Sequence, residues 1–384
     1  MCRNGRLTRF LTLLSHDDGE IGRVGSRALR PLVAVLAAVS LASLSLVAGV
    51  WANGSTADAE RPESLTSIHA RSLAAKITVL RPNRLTQAEI DWRGGAITTS
   101  TGETVSVLVS NAFPVETVTP EGWAEFLAKL VHGRELSELT MYVAPLTEVQ
   151  QLCGAQSLGC YSRDTVVTVG EALPDGTNPE EVVRHEYGHH IALHRSNAPW
   201  RAVDWGPKHW ASVANVCARV SRREAYPGDE GDHYSQNPGE AWAEVYRLMD
   251  ERKAGITTAR WQIIAPSLYP TEAALQAAEQ DVLQPWTAEQ RSVFRRQLRK
   301  GQVWWIKLST PLDGTVAVTV TIPKGGLHQA ALVASDRRTV MKRGAAAGQR
   351  QRRIAATACG QRSAFVRVTQ KGTAGQVTVA VSTP

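Results

Sequence analysis

The residues best equipped for chemistry are His185-Glu186-Tyr187-Gly188-His189. Histidines four residues apart share one face of an α-helix, close enough for both imidazoles to bind one cation, with the glutamate beside them. The chemistry expected of such a set is hydrolysis. A hydrolytic zinc ion takes three protein ligands and keeps a fourth position for water, whose pKa falls to about 7. His185 and His189 are the expected first two ligands. Glu186 is badly angled to join them and is instead the expected proton carrier between water and leaving amine. The same five residues also fit a surface helix that carries His, Glu and His by coincidence, so a third ligand decides the matter.

A metzincin would continue the motif with Gly three residues and His six residues past the second histidine, but Ala192 and Arg195 stand there, which excludes that class. His190 is turned about 100° from His189, and His194 pairs with His190, so both read as surface or outer-shell residues. His209 and His233 are possible ligands on spacing alone. A stronger candidate lies in Tyr234–Arg247, where Asn237-Pro238 opens a helix and Glu240 and Glu244 fall one turn apart on one face. Two buried carboxylates need a partner. Glu240 as third ligand, with Glu244 fixing the free ring nitrogen of a liganding histidine, supplies it. The alternative is an exposed acidic pair that mildly destabilises its helix.

An HExxH followed some fifty residues later by Asn-Pro-x-Glu-x-x-Ala-Glu resembles the gluzincin zinc peptidases. It is most similar to the compact group around the lethal-factor toxin's catalytic domain and its secreted bacterial relatives. The resemblance covers roughly residues 100 to 260. It implies a zincin-like fold, one Zn2+ held by His185, His189 and Glu240, and Glu186 as general base. Members also carry a tyrosine shortly before the third ligand that stabilises the oxyanion. Tyr234 stands about there, and His233 beside it has the same capability.

Asn178 as N-cap, Pro179 at the first helical position, and Glu180 and Glu181 in the first turn set up the helix that must carry the motif. Upstream, Thr104–Val109 and Met141–Val143 read as strands, and Thr119-Pro120 opens a helix running to Val131. The β-branched run Thr165–Val169 reads either as an edge strand beside the metal, able to pair with an extended substrate, or as an interior strand. Trp205 and Trp210 either line a cleft or pack on the motif helix. Residues 224–236 form an acidic loop that could order on binding substrate or calcium. Two more helices are expected, Thr271–Leu283 and Thr287–Leu298. Beyond them, alternation at 315–322, 365–369 and 377–381 predicts short strands and a small β-sandwich. The expected fold class is therefore α+β: a zincin-like metallopeptidase domain over 76–300 and an all-β sandwich module over 301–384.

The chain has 384 residues, enough for two cores, and a composition rich in arginine, alanine and valine that suggests a GC-rich bacterial coding sequence. Residues 1–30 are basic and expected to stay cytoplasmic, 31–52 form a signal peptide or membrane anchor built on the uncharged run 32–50, and 53–75 read as a linker. Everything downstream is then exported, secreted or anchored outside the cytoplasm. Four cysteines fall in that part. Cys153 and Cys160 bracket a short loop and are expected to pair. Cys217 and Cys359 then either tie the catalytic region to the β-module or remain buried thiols. The formal charge of +7 and the cluster Arg337, Arg338, Lys342, Arg343, Arg350, Arg352 and Arg353 fit contact with anionic wall polymers or lipid headgroups, or else a solvated loop. Nucleic acid is not an expected partner, since no aromatic platform accompanies the charges. Two functions follow: an exported endopeptidase acting on protein or peptide substrates, or a noncatalytic surface protein with a structural zinc.

Overall fold

A computed structural model of the chain describes residues 90–257, 263–324, 326 and 328–384. The basic segment 1–30, the apolar segment 31–52 and the linker 53–75 lie outside the described residues. No described helix is long and apolar enough to cross a membrane. The architecture is α+β.

The first sheet contains β1 (Trp92–Thr98), β2 (Thr104–Ser110), β3 (Thr140–Ala144), β4 (Gly159–Ser162) and β5 (Thr165–Val169), in the spatial order β1-β2-β3-β5-β4. Alternation does what it should in β2, where Val105, Val107 and Val109 point into the core. β2, β3 and β5 run parallel, and β1 and β4 close the two sides antiparallel. Thr165–Val169 is thus an interior strand. The edge is β4, folded back along β5 by a tight turn in which Arg163 takes a left-handed φ of 50°.

Helix α1 (Pro120–Lys129) starts where Thr119 accepts a hydrogen bond from the Gly122 amide at 3.1 Å. Helix α2 (Leu146–Cys153) is stapled to β4 by the Cys153–Cys160 disulfide. Helix α3 (Pro179–Leu193) carries the motif and is buried without interruption from Val182 to Ala192. Its Asn178 takes the extended N-cap conformation but makes no side-chain cap bond, so the Pro179 start and the two first-turn glutamates set this end. After α4 (Lys208–Val213) and α5 (Val216–Ser221) comes α6 (Pro238–Lys253), buried from Pro238 to Glu251 and truly capped, Asn237 Oδ1 accepting from the Gly239 amide at 3.0 Å. Helix α7 (Glu272–Leu283) follows as expected. The sheet packs on one side of α3 and α6 on the other, which is why neither helix has a wet face at the motif.

Thr287–Leu298 is not a helix. Gln290–Leu298 forms β6, paired residue for residue with the last strand. Its side chains are mostly exposed, so neither helical nor strand period is imprinted on the sequence; backbone pairing decides. The β-layers therefore begin at Gln290 rather than at 301. With β7 (Val303–Ser309), β8 (Gly314–Thr321), β9 (His328–Ala334), β10 (Val340–Arg343), β11 (Ala345–Ala346), β12 (Gln351–Ala358), β13 (Ser363–Gln370) and β14 (Gly375–Thr383), it builds two antiparallel sheets. Their orders are β10-β9-β13-β7 and β11-β12-β8-β14-β6, and they share one core that includes Val318, Val320, Leu332, Val366 and Val379. The basic residues expected on one loop are partly built into strands, Lys342 and Arg343 in β10 and Arg352 and Arg353 in β12.

A polar seam joins sandwich and helices. Buried Lys208 donates to the Asp313 carbonyl at 2.9 Å, Asp313 N donates to Ser212 Oγ at 2.9 Å, and Arg362 bridges Asp313 Oδ1 and the Ser212 carbonyl at 2.6 Å each. Cys217 and Cys359 are disulfide-bonded across this seam.

Candidate metal centre

Gly188 sets how closely α3 and α6 approach. A Cβ there would stand 2.8 Å from Ala243 Cα and 3.1 Å from its carbonyl oxygen, so only glycine lets the two backbones touch. Trp242 Nε1 donates to the Gly188 carbonyl at 2.7 Å and locks the register.

That crossing brings His185, His189 and Glu240 together. Glu240 Oε2 lies 3.1 Å from His185 Nε2, and Oε1 lies 3.4 Å from His189 Nε2. Ligand atoms arranged tetrahedrally at zinc distances of about 2.0–2.1 Å are separated by about 3.3 Å, so the trio has the dimensions of one ion's coordination shell. All three side chains are buried, with 2–3% of their surface exposed. Glu244 Oε2 is 3.4 Å from His185 Nδ1, the outer-shell position expected of it. Arg247 clamps Glu244 from the next turn, with Nε 3.0 Å from Oε2, and in turn binds Glu251 at 2.7 Å.

The electrostatics favour positive charge at this point. Burial works to lower the His185 pKa, yet the hydrogen bonds and charge of Glu240, the bond to Glu244 and the charge of Glu186 carry it up to about 10. His189 is also raised, burial again being outweighed by Glu240. Burial opposes ionisation of Glu240, but the two imidazoles pull its pKa far down. Glu244 is held at about 2 against its own burial, by Arg247 first and His185 next. A divalent cation satisfies the same field with two neutral imidazoles. Two imidazoles and a carboxylate within reach of one another suit a divalent transition ion.

Glu186 is 4% exposed and lies under the start of the edge strand: its Oε1 is 3.1 Å from where a Cβ on Gly159 would be. Burial raises its pKa, with the two histidines opposing. Tyr234 donates its hydroxyl to Glu240 Oε2 at 2.6 Å. His233 is engaged elsewhere, Nδ1 2.8 Å from Asp229 Oδ2 and its ring stacked on Tyr226, so the catalytic part considered for it has no support in its contacts. His209 is not a ligand; it is bound to Asp281 at 2.7 Å. Trp210 packs on Trp242 of α6, and Trp205 stacks on Trp200.

Two residues of the site carry no sequence signal. Glu230, from the acidic loop, accepts from Asn237 Nδ2 at 2.8 Å; burial first, then the charges of Glu240 and Glu186, push its pKa up to about 8. Tyr161 in β4 stacks over the His189 ring, centroids 6.3 Å apart.

No family model matches this chain, and neither does any curated protein. Among solved structures it has a likeness to the pre-peptidase C-terminal domain of a collagenase from Bacillus anthracis, at 16% identity and a TM-score of 0.20 over 24% of this chain and 86% of that one. A second is aminopeptidase A from Legionella pneumophila in complex with aspartic acid, at 10% identity and a TM-score of 0.20, over 72% of this chain and 37% of that one. Scores this low bear on neither fold nor reaction.

Proposed function

We propose that this protein is an exported zinc-dependent endopeptidase of the gluzincin kind, with a zincin-like catalytic domain. The observation that carries the reading is the convergence of His185, His189 and Glu240 at coordination distances, with Glu186 beside them under the edge strand. When bound, zinc supplies Lewis acidity, polarising a carbonyl and lowering the pKa of nearby water. Glu186 takes a proton from the attacking water as its oxygen bonds to the scissile carbonyl carbon, and returns that proton to the amide nitrogen as the C–N bond breaks. Glu244, fixed by Arg247, orients the His185 ring. Tyr234 steadies Glu240 and can exchange that bond for one to the oxyanion.

Among the described residues β4 pairs with β5 alone, so an extended peptide can add as a further strand, its main chain recognised without regard to sequence. Gly159, at the start of that strand, brings such a peptide to Glu186. Two disulfides support export, because they persist in oxidising compartments. Glu186→Gln tests the reading: zinc content should match wild type while hydrolysis of a generic protein substrate is lost. Equal inertness of wild type and variant across many substrates, both holding zinc, would favour a noncatalytic surface protein instead.

A further inference from the structure

The motif helix carries a second pair of histidines, His190 and His194, again four residues apart and turned about 100° from the first pair. They meet Asp164, from the turn between β4 and β5. Asp164 Oδ1 lies 2.7 Å from His194 Nε2 and 3.7 Å from His190 Nδ1, and all three candidate donor atoms lie within 4.8 Å of one another. His190 is completely buried, and its Nε2 is 2.7 Å from the Glu135 carbonyl oxygen. A carbonyl only accepts, so Nε2 holds the proton and the Nδ1 lone pair of the neutral ring faces the cluster. An imidazole whose other nitrogen donates to a backbone carbonyl is the usual arrangement of a metal-ligating histidine. Tyr161 Oη, 3.3 Å from His190 Nδ1, is the remaining polar contact there.

We propose that His190, His194 and Asp164 form a second site for a divalent transition ion, sharing no ligand with the His185–His189–Glu240 cluster. Two imidazoles and one carboxylate suit zinc, and also its neighbours nickel, copper and cobalt. His194 and Asp164 are 28% and 47% exposed, so the ion exchanges with solvent and keeps water ligands, unlike one held by the buried trio. Occupancy ties the β4–β5 turn to the C-terminal end of α3. Tyr161, stacked on His189 and touching His190, links the two sites, so the second ion makes the substrate-binding edge more rigid beside the first.

The test is a titration of the full chain with Zn2+ and, separately, Co2+, followed by calorimetry and by the visible cobalt spectrum. Wild type is expected to take up a tight first equivalent and a weaker second one. Asp164→Asn combined with His194→Ala, both at the surface and away from the core, is expected to lose only the second equivalent and its cobalt bands. The single variant His194→Ala, which leaves the turn intact, should weaken the second equivalent at least ~10-fold, the scale on which metal affinity answers to loss of a supporting group. A wild type that saturates at one equivalent, or a second equivalent that survives in the double variant, overturns the assignment. Loss of the first equivalent instead would count against the centre proposed above.

Discussion

Gly188→Ala isolates the contact on which the candidate metal centre depends. The added methyl group would meet Ala243 Cα at 2.8 Å and Ala243 O at 3.1 Å, whereas comfortable carbon contacts lie at about 3.5–4.0 Å. Both obstacles are backbone, so side-chain rotation brings no relief and α3 and α6 must separate by ~1 Å. The Glu240 distances, 3.1 and 3.4 Å from the two imidazoles, then open towards 4 Å. Overpacking costs about 1–3 kcal/mol, offset by the ~1 kcal/mol that alanine gains over glycine within a helix, so net destabilisation is about 0–2 kcal/mol. Function should suffer far more than folding, since a misplacement near 1 Å can cost ~100-fold. Thermal denaturation in chelator should show a small drop in Tm, while chelator competition should show zinc affinity down ~10-fold or more and turnover down ~100-fold. A variant that holds zinc as tightly as wild type would refute the claim that this crossing sets the ligand geometry.

Gly159→Ala would place a methyl 3.1 Å from Glu186 Oε1 and closer still to Val182 Cγ1, at 2.8 Å; it should lower kcat at least ~10-fold at unchanged zinc content, read by steady-state kinetics beside metal analysis. Glu135 links fold stability to pH. Burial alone would raise its pKa, but Arg195, 2.9 Å away, and the Gly133 amide bring it below the usual 4.5. A depressed carboxylate contributes stability that is complete above the unfolded value, near 4.5, and is lost as pH falls through the lower folded value. Glu135→Gln should therefore cost about 3 kcal/mol at neutral pH, by leaving a buried guanidinium without its counter-charge, and the gap to wild type should narrow in acid; denaturant melts between pH 7 and pH 3 read both.

Local rules made the centre legible. Spacing alone locates His185, Glu186 and His189, and the Asn237-Pro238 start puts Glu240 and Glu244 on one face, because helix geometry is fixed within a few residues. Cys153 and Cys160 bracket a loop short enough to read as one of three possible pairings, and they are bonded. Pairing between distant strands is less visible: Thr165–Val169 reads the same whether edge or interior, and only the fold-back at Arg163 hands the edge to β4. Gln290–Leu298 is a strand that reads as helix, because an exposed edge strand prints neither period on its side chains. Glu230, Tyr161 and the complete burial of His190 arise from elements meeting in space, and no short-range pattern encodes them.

Under the proposed function, zinc held by His185, His189 and Glu240 makes this protein a peptidase. An internally quenched peptide library, incubated with the full chain before chelation, after chelation and after zinc is restored, tests it most directly. Cleavage should vanish with the metal and return as the first equivalent of zinc is added back. Cleavage that survives chelation, or a chain loaded with that first zinc that cuts no peptide in the library, would contradict the account.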